Sequence, residues 1–166
     1  MDNGKCKVEK DVLDRFMKNT LVAVGALKTP WAKEGCRQYM GRLHIDVIEV
    51  SASKQKDPAK QKEEESTAIL SRLEKMHGQV WVLDETGQAM TSPDFSSALE
   101  RLADRGDSVI FVLGGAYGLS DAVVQKAHTV LRLSDMVLPH ELCRVVFLEQ
   151  LYRAEQIQKG TGYHHA

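Results

Sequence analysis

The sequence predicts an α/β fold, an open and mainly parallel sheet with helices on both faces. Three observations lead there. Short β-rich apolar runs alternate along the chain with longer segments of helical spacing. Strand–helix–strand alternation implies crossover connections, which cover the faces of a parallel sheet with helices. A chain of 166 residues, 43% hydrophobic and 27% charged, suits one folded domain and excludes wholesale disorder or a fibrous repeat.

Strands are expected at residues 21–24, 45–50, 80–83, 109–113 and 130–133, each ending near a turn residue or polar cluster. Helices are expected at residues 30–42, with Trp31 near the start, and at 58–76, with Ile69, Leu70, Leu73 and Met76 on one face. Further helices are expected at 95–105, 120–128 and 140–159, the last stopped by Gly160 and too densely apolar to be fully exposed. Residues 1–19 precede this rhythm. Val8, Val12, Leu13 and Phe16 have the spacing of a short amphipathic helix, and a frayed extension fits them equally. The expected organisation is an N-terminal extension over 1–19 and a single domain over 20–166.

The formal net charge is −1, from 22 Lys+Arg against 23 Asp+Glu, so there is no basic excess of the kind that grips nucleic acid non-specifically. Residues 51–62 are the local exception, with Lys54, Lys56, Lys60 and Lys62 against Asp57 alone. Such a run is ordinarily a solvated loop. Three widely spaced cysteines, Cys6, Cys36 and Cys143, fit a reducing compartment better than a disulfide framework. The charged N-terminus is unlike a secretory signal, and no run approaches the ~20 apolar residues of a membrane span. A cytoplasmic protein that needs no membrane is expected.

Ligands of open parallel sheets gather at the C-terminal strand ends. There, Phe111-Val-Leu-Gly114-Gly115-Ala-Tyr-Gly118-Leu-Ser120-Asp121 reads as a buried strand, a glycine-rich turn and a helix start capped by Ser120. GGxxG matches neither the dinucleotide nor the lysine-bearing phosphate loop. A structural turn and a ligand site therefore both stand. The stretch Leu133-Ser134-Asp135-Met136-Val137-Leu138-Pro139-His140 leaves a strand for the last helix, and Pro139 keeps Leu138 extended. Its backbone groups can meet the edge of a flat heterocycle while Leu133, Met136 and Leu138 form apolar walls. On the last helix, Arg144 and Arg153 are nine residues apart and face opposite ways, so one chain does not bring them to one site. Neither Cys143 beside His140 nor His164-His165 at the chain end has further ligands at metal-site spacing. No metal is expected.

Taken in order, the Gly-Gly turn, the Leu-Pro-His junction, the Glu149-Gln-Leu-Tyr152-Arg153-Ala helix and the terminal Tyr163-His164 resemble the RlmH family of small SPOUT-class RNA methyltransferases. The resemblance runs from about Leu21 to His164. It implies a deep C-terminal trefoil knot, a topology that general rules of chain path disfavour. It also implies a homodimer that binds S-adenosylmethionine, releases S-adenosylhomocysteine, and methylates N3 of pseudouridine 1915 in helix 69 of bacterial 23S rRNA. Carried across residue by residue, the cofactor contacts would be Leu83, Gly114, Leu133, Ser134, Asp135, Met136, Val137 and Leu138. The substrate side would comprise Arg153, Tyr163 and His164, supported by His140.

Because a sulfonium methyl group is already activated, such an enzyme chiefly aligns the nucleophile and removes the N3 proton. An imide proton with a pKa of about 10, taken as that of a phenol, calls for a base or for a cation that stabilises the anion. Two departures from the family stand out. Ala116-Tyr117 replaces a commonly polar pair and offers an aromatic that can stack on a base, and the tail ends without the usual basic residue. With so little phosphate grip, the near-neutral chain is expected to need the ribosome around helix 69. Alternatives are a SPOUT enzyme acting at another rRNA or tRNA site, or a non-catalytic nucleotide-binding module.

Overall fold

The computed structural model describes residues 19–164; of the extension expected over 1–19, all but Asn19 lies outside the described residues, as do the terminal His165 and Ala166. In chain order the elements are β1 (Asn19–Val24), α1 (Pro30–Met40), β2 (Ile45–Val50), α2 (Pro58–Leu73), β3 (Gln79–Ala89), α3 (Ser92–Asp104), β4 (Val109–Leu113), α4 (Asp121–Val124), β5 (Thr129–Arg132) and α5 (His140–Lys159). The five strands form one sheet of order β2-β1-β4-β3-β5, and every pairing is parallel. β1 starts at Asn19, whose side-chain Oδ1 accepts the Val109 N–H and ties the strand to β4.

Alternation along the buried strands sorts the core into two layers. Leu21, Ala23, Trp81, Phe111 and Leu113 pack with residues of α1, α3 and α5, whereas Val22, Val24, Val82, Ile110 and Val112 pack with Ile69 of α2 and Val123 of α4. Phe111 lies at the centre of the first layer, with ring centroids of Trp81 at 6.0 Å, Phe95 at 6.4 Å and Phe147 at 4.7 Å. Burying an aromatic of this size stabilises the fold by about 2–3 kcal/mol, so this cluster anchors α3 and α5 to the sheet.

Three elements depart from expectation. β3 continues to Ala89 because residues between Leu83 and Gln88 bulge out of the ladder while both flanking positions pair with Leu131 of β5. Asp84 closes that bulge, its Oδ1 accepting the Thr86 N–H at 2.9 Å and the Thr86 hydroxyl at 2.7 Å. α3 starts at Ser92, ahead of the expected Phe95, because Thr91 caps it by accepting the Asp94 N–H. α4 ends at Val124 instead of reaching His128. By His128 the chain is already tied to β3: its N–H donates to the Val80 carbonyl, and its Nδ1 accepts the Val80 N–H.

Candidate active site

At the C-terminal edge of the sheet a cleft of about 910 Å³ opens between three walls. The first is the end of β3 with its bulge, Leu83 to Thr86; the second is the turn Gly114–Leu119 after β4; the third is the segment from Arg132 to His140 that leads from β5 into α5. Lys62, Asp121, Val124 and Cys143 complete the lining. All the strands run the same way, so the turns that follow β3, β4 and β5 meet at one edge.

Each glycine of the second wall has its own cause. A Cβ on Gly114 would stand 2.9 Å from Leu119 Cγ and 3.0 Å from the Gly118 carbonyl, so the turn can return this closely only over a bare backbone. Gly118 has φ +74°, the left-handed region. Gly115 needs no positive φ, but a Cβ there would collide with the Glu65 carboxylate and stand 3.2 Å from Val24 Cγ1. The far end of the turn is held by Ser66, whose Oγ accepts the buried Ser120 N–H at 2.9 Å.

In the third wall, Ser134 Oγ accepts the Met136 N–H at 2.9 Å and turns the chain. Met136 and Val137 are 77% and 81% exposed, an unusual state for apolar residues. Pro139, extended at ψ 142°, caps α5, and His140 opens it. Of the expected cofactor residues, Leu83, Gly114, Leu133, Ser134, Met136, Val137 and Leu138 all line the cleft. Asp135 does not line it; its side chain turns outward and pairs with Arg132 at 3.0 Å. Burial pushes the Cys143 thiol up to about 11, which leaves too little thiolate near neutral pH for a nucleophilic role. Among the described residues no group of three or more His, Cys, Asp or Glu is placed to hold a metal.

A second cluster lies along the C-terminal half of α5. Both Nε and Nη2 of Arg153 donate to Glu149 Oε1, at 3.0 and 2.6 Å, and the guanidinium lies over the Tyr163 ring at 4.9 Å from its centroid. Glu149 is steadied from behind: Gln150 donates to its Oε2 at 2.6 Å and itself accepts the Ser92 hydroxyl at 2.7 Å. Tyr163 stacks edge-on against Tyr152 at 5.0 Å, with Arg42 over the Tyr152 ring at 5.7 Å. Burial, followed by the neighbouring Tyr39 and Glu149, holds the Tyr163 phenol above its ordinary pKa, so it donates or stacks rather than taking a proton. His164 Nδ1 is buried and has no hydrogen-bond partner among the described residues. The structure thus brings Arg153 and Tyr163 together, with His164 next in the chain. His140 is not with them in the same chain, since thirteen residues of helix separate it from Arg153, roughly 20 Å.

The model of the family described as Predicted SPOUT methyltransferase matches residues 17–164. The chain belongs to that family. Two relatives place this SPOUT chain further, both named Ribosomal RNA large subunit methyltransferase H. That of Solidesulfovibrio magneticus is 42% identical over 150 residues, 87% of this chain and 97% of the relative, and that of Desulfovibrio desulfuricans is 43% identical over 150 residues, 87% and 95%. The chain therefore also belongs to the large subunit methyltransferase H family, as its motif order suggests. In fold it is similar to a probable methyltransferase of Bordetella pertussis Tohama I, with TM-score 0.61 and 14% identity over 88% of this chain and 99% of the other. Sequence reasoning passed over Asp84, Thr86, Arg132 and Glu65 in this SPOUT chain. The Asp-Glu-Thr-Gly turn at 84–87 was a readable signal for the first two; Glu65 had none, because partners remote in sequence define it.

Proposed function

We propose that this chain transfers the methyl group of S-adenosylmethionine to N3 of pseudouridine 1915 in helix 69 of bacterial 23S rRNA, acting as a homodimer on assembled ribosomes. The carrying observation is the cleft itself: in a member of the large subunit methyltransferase H family, the segments expected to hold the cofactor meet at one sheet edge. The residues present fit such a group. Leu83, Leu133 and Leu138 offer apolar walls to a flat base, the bare backbone at Gly114 permits close approach, and Asp84, Glu85 and Asp121 suit a cation at the rim. The cofactor, when bound, supplies an electrophilic methyl group on a sulfonium.

The remaining work falls to the chain's own side chains. Arg153 keeps its charge, its pKa raised first by the hydrogen bonds to Glu149, and can stabilise the anion left on the imide. Tyr163, held as the neutral phenol, orients the base by stacking or by donating a hydrogen bond. His164 is assigned as the base that takes the N3 proton. Since the cleft residues Cys143 and His140 stand about 15 and 20 Å from Arg153 along α5, the complete site takes the cleft of one protomer and the Arg153 cluster of its partner. The deep knot belongs to the same reading.

The test is to incubate the protein with labelled S-adenosylmethionine and, separately, intact ribosomes, free subunits, the isolated helix 69 hairpin and tRNA, then map the label. Label at N3 in helix 69 of intact ribosomes is expected, with little on the hairpin. Label on tRNA would redirect the substrate assignment, a wild-type rate for His164→Ala would remove the base assignment, and a monomeric mass in solution would remove the two-protomer site.

A further inference from the structure

Glu65 is a carboxylate in the interior of the protein, 2% exposed, in the middle of α2. Its Oε1 accepts the Ser53 N–H at 3.0 Å and the Gln61 amide at 3.3 Å. Ser53 belongs to the loop between β2 and α2 that carries Lys54 and Lys56, and its hydroxyl is held again by Glu64 at 2.7 Å. The other oxygen, Oε2, has no hydrogen-bond partner among the described residues and lies against the backbone of Gly115. A buried, half-satisfied carboxylate is a poor device for stability alone, since an apolar side chain would fill the place without the desolvation penalty. Its two oxygens face two different pieces of the surface: the lysine-bearing loop and the glycine turn that walls the cleft. The next residue, Ser66, holds the other end of that turn.

We infer that Glu65 is a positioning residue that sets the lysine loop and the glycine turn in one register, so that RNA phosphates gripped by Lys54, Lys56 and Lys60 are aligned with the cofactor cleft. The inference rests on the methyltransferase reading above and adds the place of phosphate contact. The lysines are exposed and make no ion pair among the described residues, while Lys62, one helical turn from Glu65, lines the cleft itself. The same contact, with a lesser one from Val24 Cγ1, accounts for Gly115, the one glycine of the turn that neither φ nor the turn's own backbone requires.

The test is a mutant cycle on the full chain, read by calorimetric binding of S-adenosylhomocysteine and by steady-state methylation of ribosomes, with thermal unfolding of every variant. Gly115→Ala should weaken S-adenosylhomocysteine binding about tenfold in the presence of Glu65, yet by less than about twofold once Glu65→Ala has removed the carboxylate it collides with. Glu65→Ala alone should raise the KM for ribosomes and for cofactor about tenfold while lowering kcat by less than about threefold, and Glu65→Gln, which still accepts the Ser53 N–H, should recover most of the loss. Should Glu65→Ala not fold, Glu65→Asp withdraws the carboxylate from Gly115 and replaces it in the cycle. Equal losses from Gly115→Ala in both backgrounds, or KM values untouched by Glu65→Ala, would overturn the inference. Failure of the wild-type chain to bind S-adenosylhomocysteine would instead strike the methyltransferase reading.

Discussion

The two ends of α5 carry the same pair of residue types and use them oppositely. Near its start, Arg144 is buried, its side chain 3% exposed, donating to Glu49 at 2.6 Å and to the Gly25 carbonyl at 2.7 Å. Beside it, Glu141 accepts from the Lys28 and Thr29 backbone and from the Thr29 hydroxyl, which binds the helix to the start of α1. Nearer the other end, Arg153 has one carboxylate oxygen for two donors, keeps 26% of its side chain exposed, and turns its flat face to Tyr163. Partners remote in sequence make Arg144 a strut. A partner one turn away leaves Arg153 free to meet a ligand. The carboxylates split likewise: hydrogen bonds from Lys28 and then Thr29 hold Glu141 below its ordinary pKa, whereas burial pushes Glu155 up against the pull of Lys159 and His44.

The comparison breaks most sharply at Arg144. Arg144→Ala removes a buried guanidinium and leaves the Gly25 carbonyl without its donor, while the exposed Glu49 carboxylate returns to water, and is expected to lower the unfolding free energy by about 2 kcal/mol in a denaturant titration. Arg153→Ala should shift stability by less than about 1 kcal/mol yet lower kcat for ribosome methylation about 100-fold, a loss confined to the rate. If Arg153→Ala unfolds the protein instead, the distinction between strut and ligand residue is wrong. Tyr163→Phe keeps the ring under Arg153 and deletes only the hydroxyl, so a rate loss of less than about tenfold is expected, against a larger one for Tyr163→Ala.

The smallest effect concerns Glu155. Its carboxyl is harder to ionise in the folded chain than in the unfolded one, so the stability linked to its protonated form is full below the ordinary carboxylate pKa and is lost as pH rises through the raised value. Glu155→Gln should therefore stabilise the fold by about 1 kcal/mol at pH 7, with the gain shrinking as pH falls toward about 4. Glu141, with its pKa lowered, has the opposite sign: its stability is present above the ordinary carboxylate pKa and is lost on acidification through the lowered value. Denaturant titrations of Glu141→Gln and Glu155→Gln across that range should give slopes of opposite direction.

Much of the cleft was legible because its walls are local in sequence. Gly114 and Leu133 each follow directly from a strand whose apolar run ends in a recognisable signal, Leu138 is marked by the Pro139 after it, and parallel pairing brings the strand ends to one edge. The Arg153–Tyr163 pair was legible for a related reason, since Gly160 ends α5 and so short a tail returns to its last turns. The errors fall where a distant partner decides. Nothing near His128 shows that Val80, 48 residues earlier, ends α4 early. Glu65 reads in sequence as one of three consecutive acids on a helix, and only the packing of α2 on β1 and the glycine turn separates it from Glu63 and Glu64.

Period and punctuation by themselves determined the class of fold, the parallel strands, and which loops wall the cleft, because these depend on residues a few positions apart. Motif order pointed to the family. Tertiary structure decided which charges are struts and which are free, and why Gly115 has no side chain. Each of these is set by burial and by hydrogen bonds between segments far apart in the chain, where local pattern carries no record of the partner.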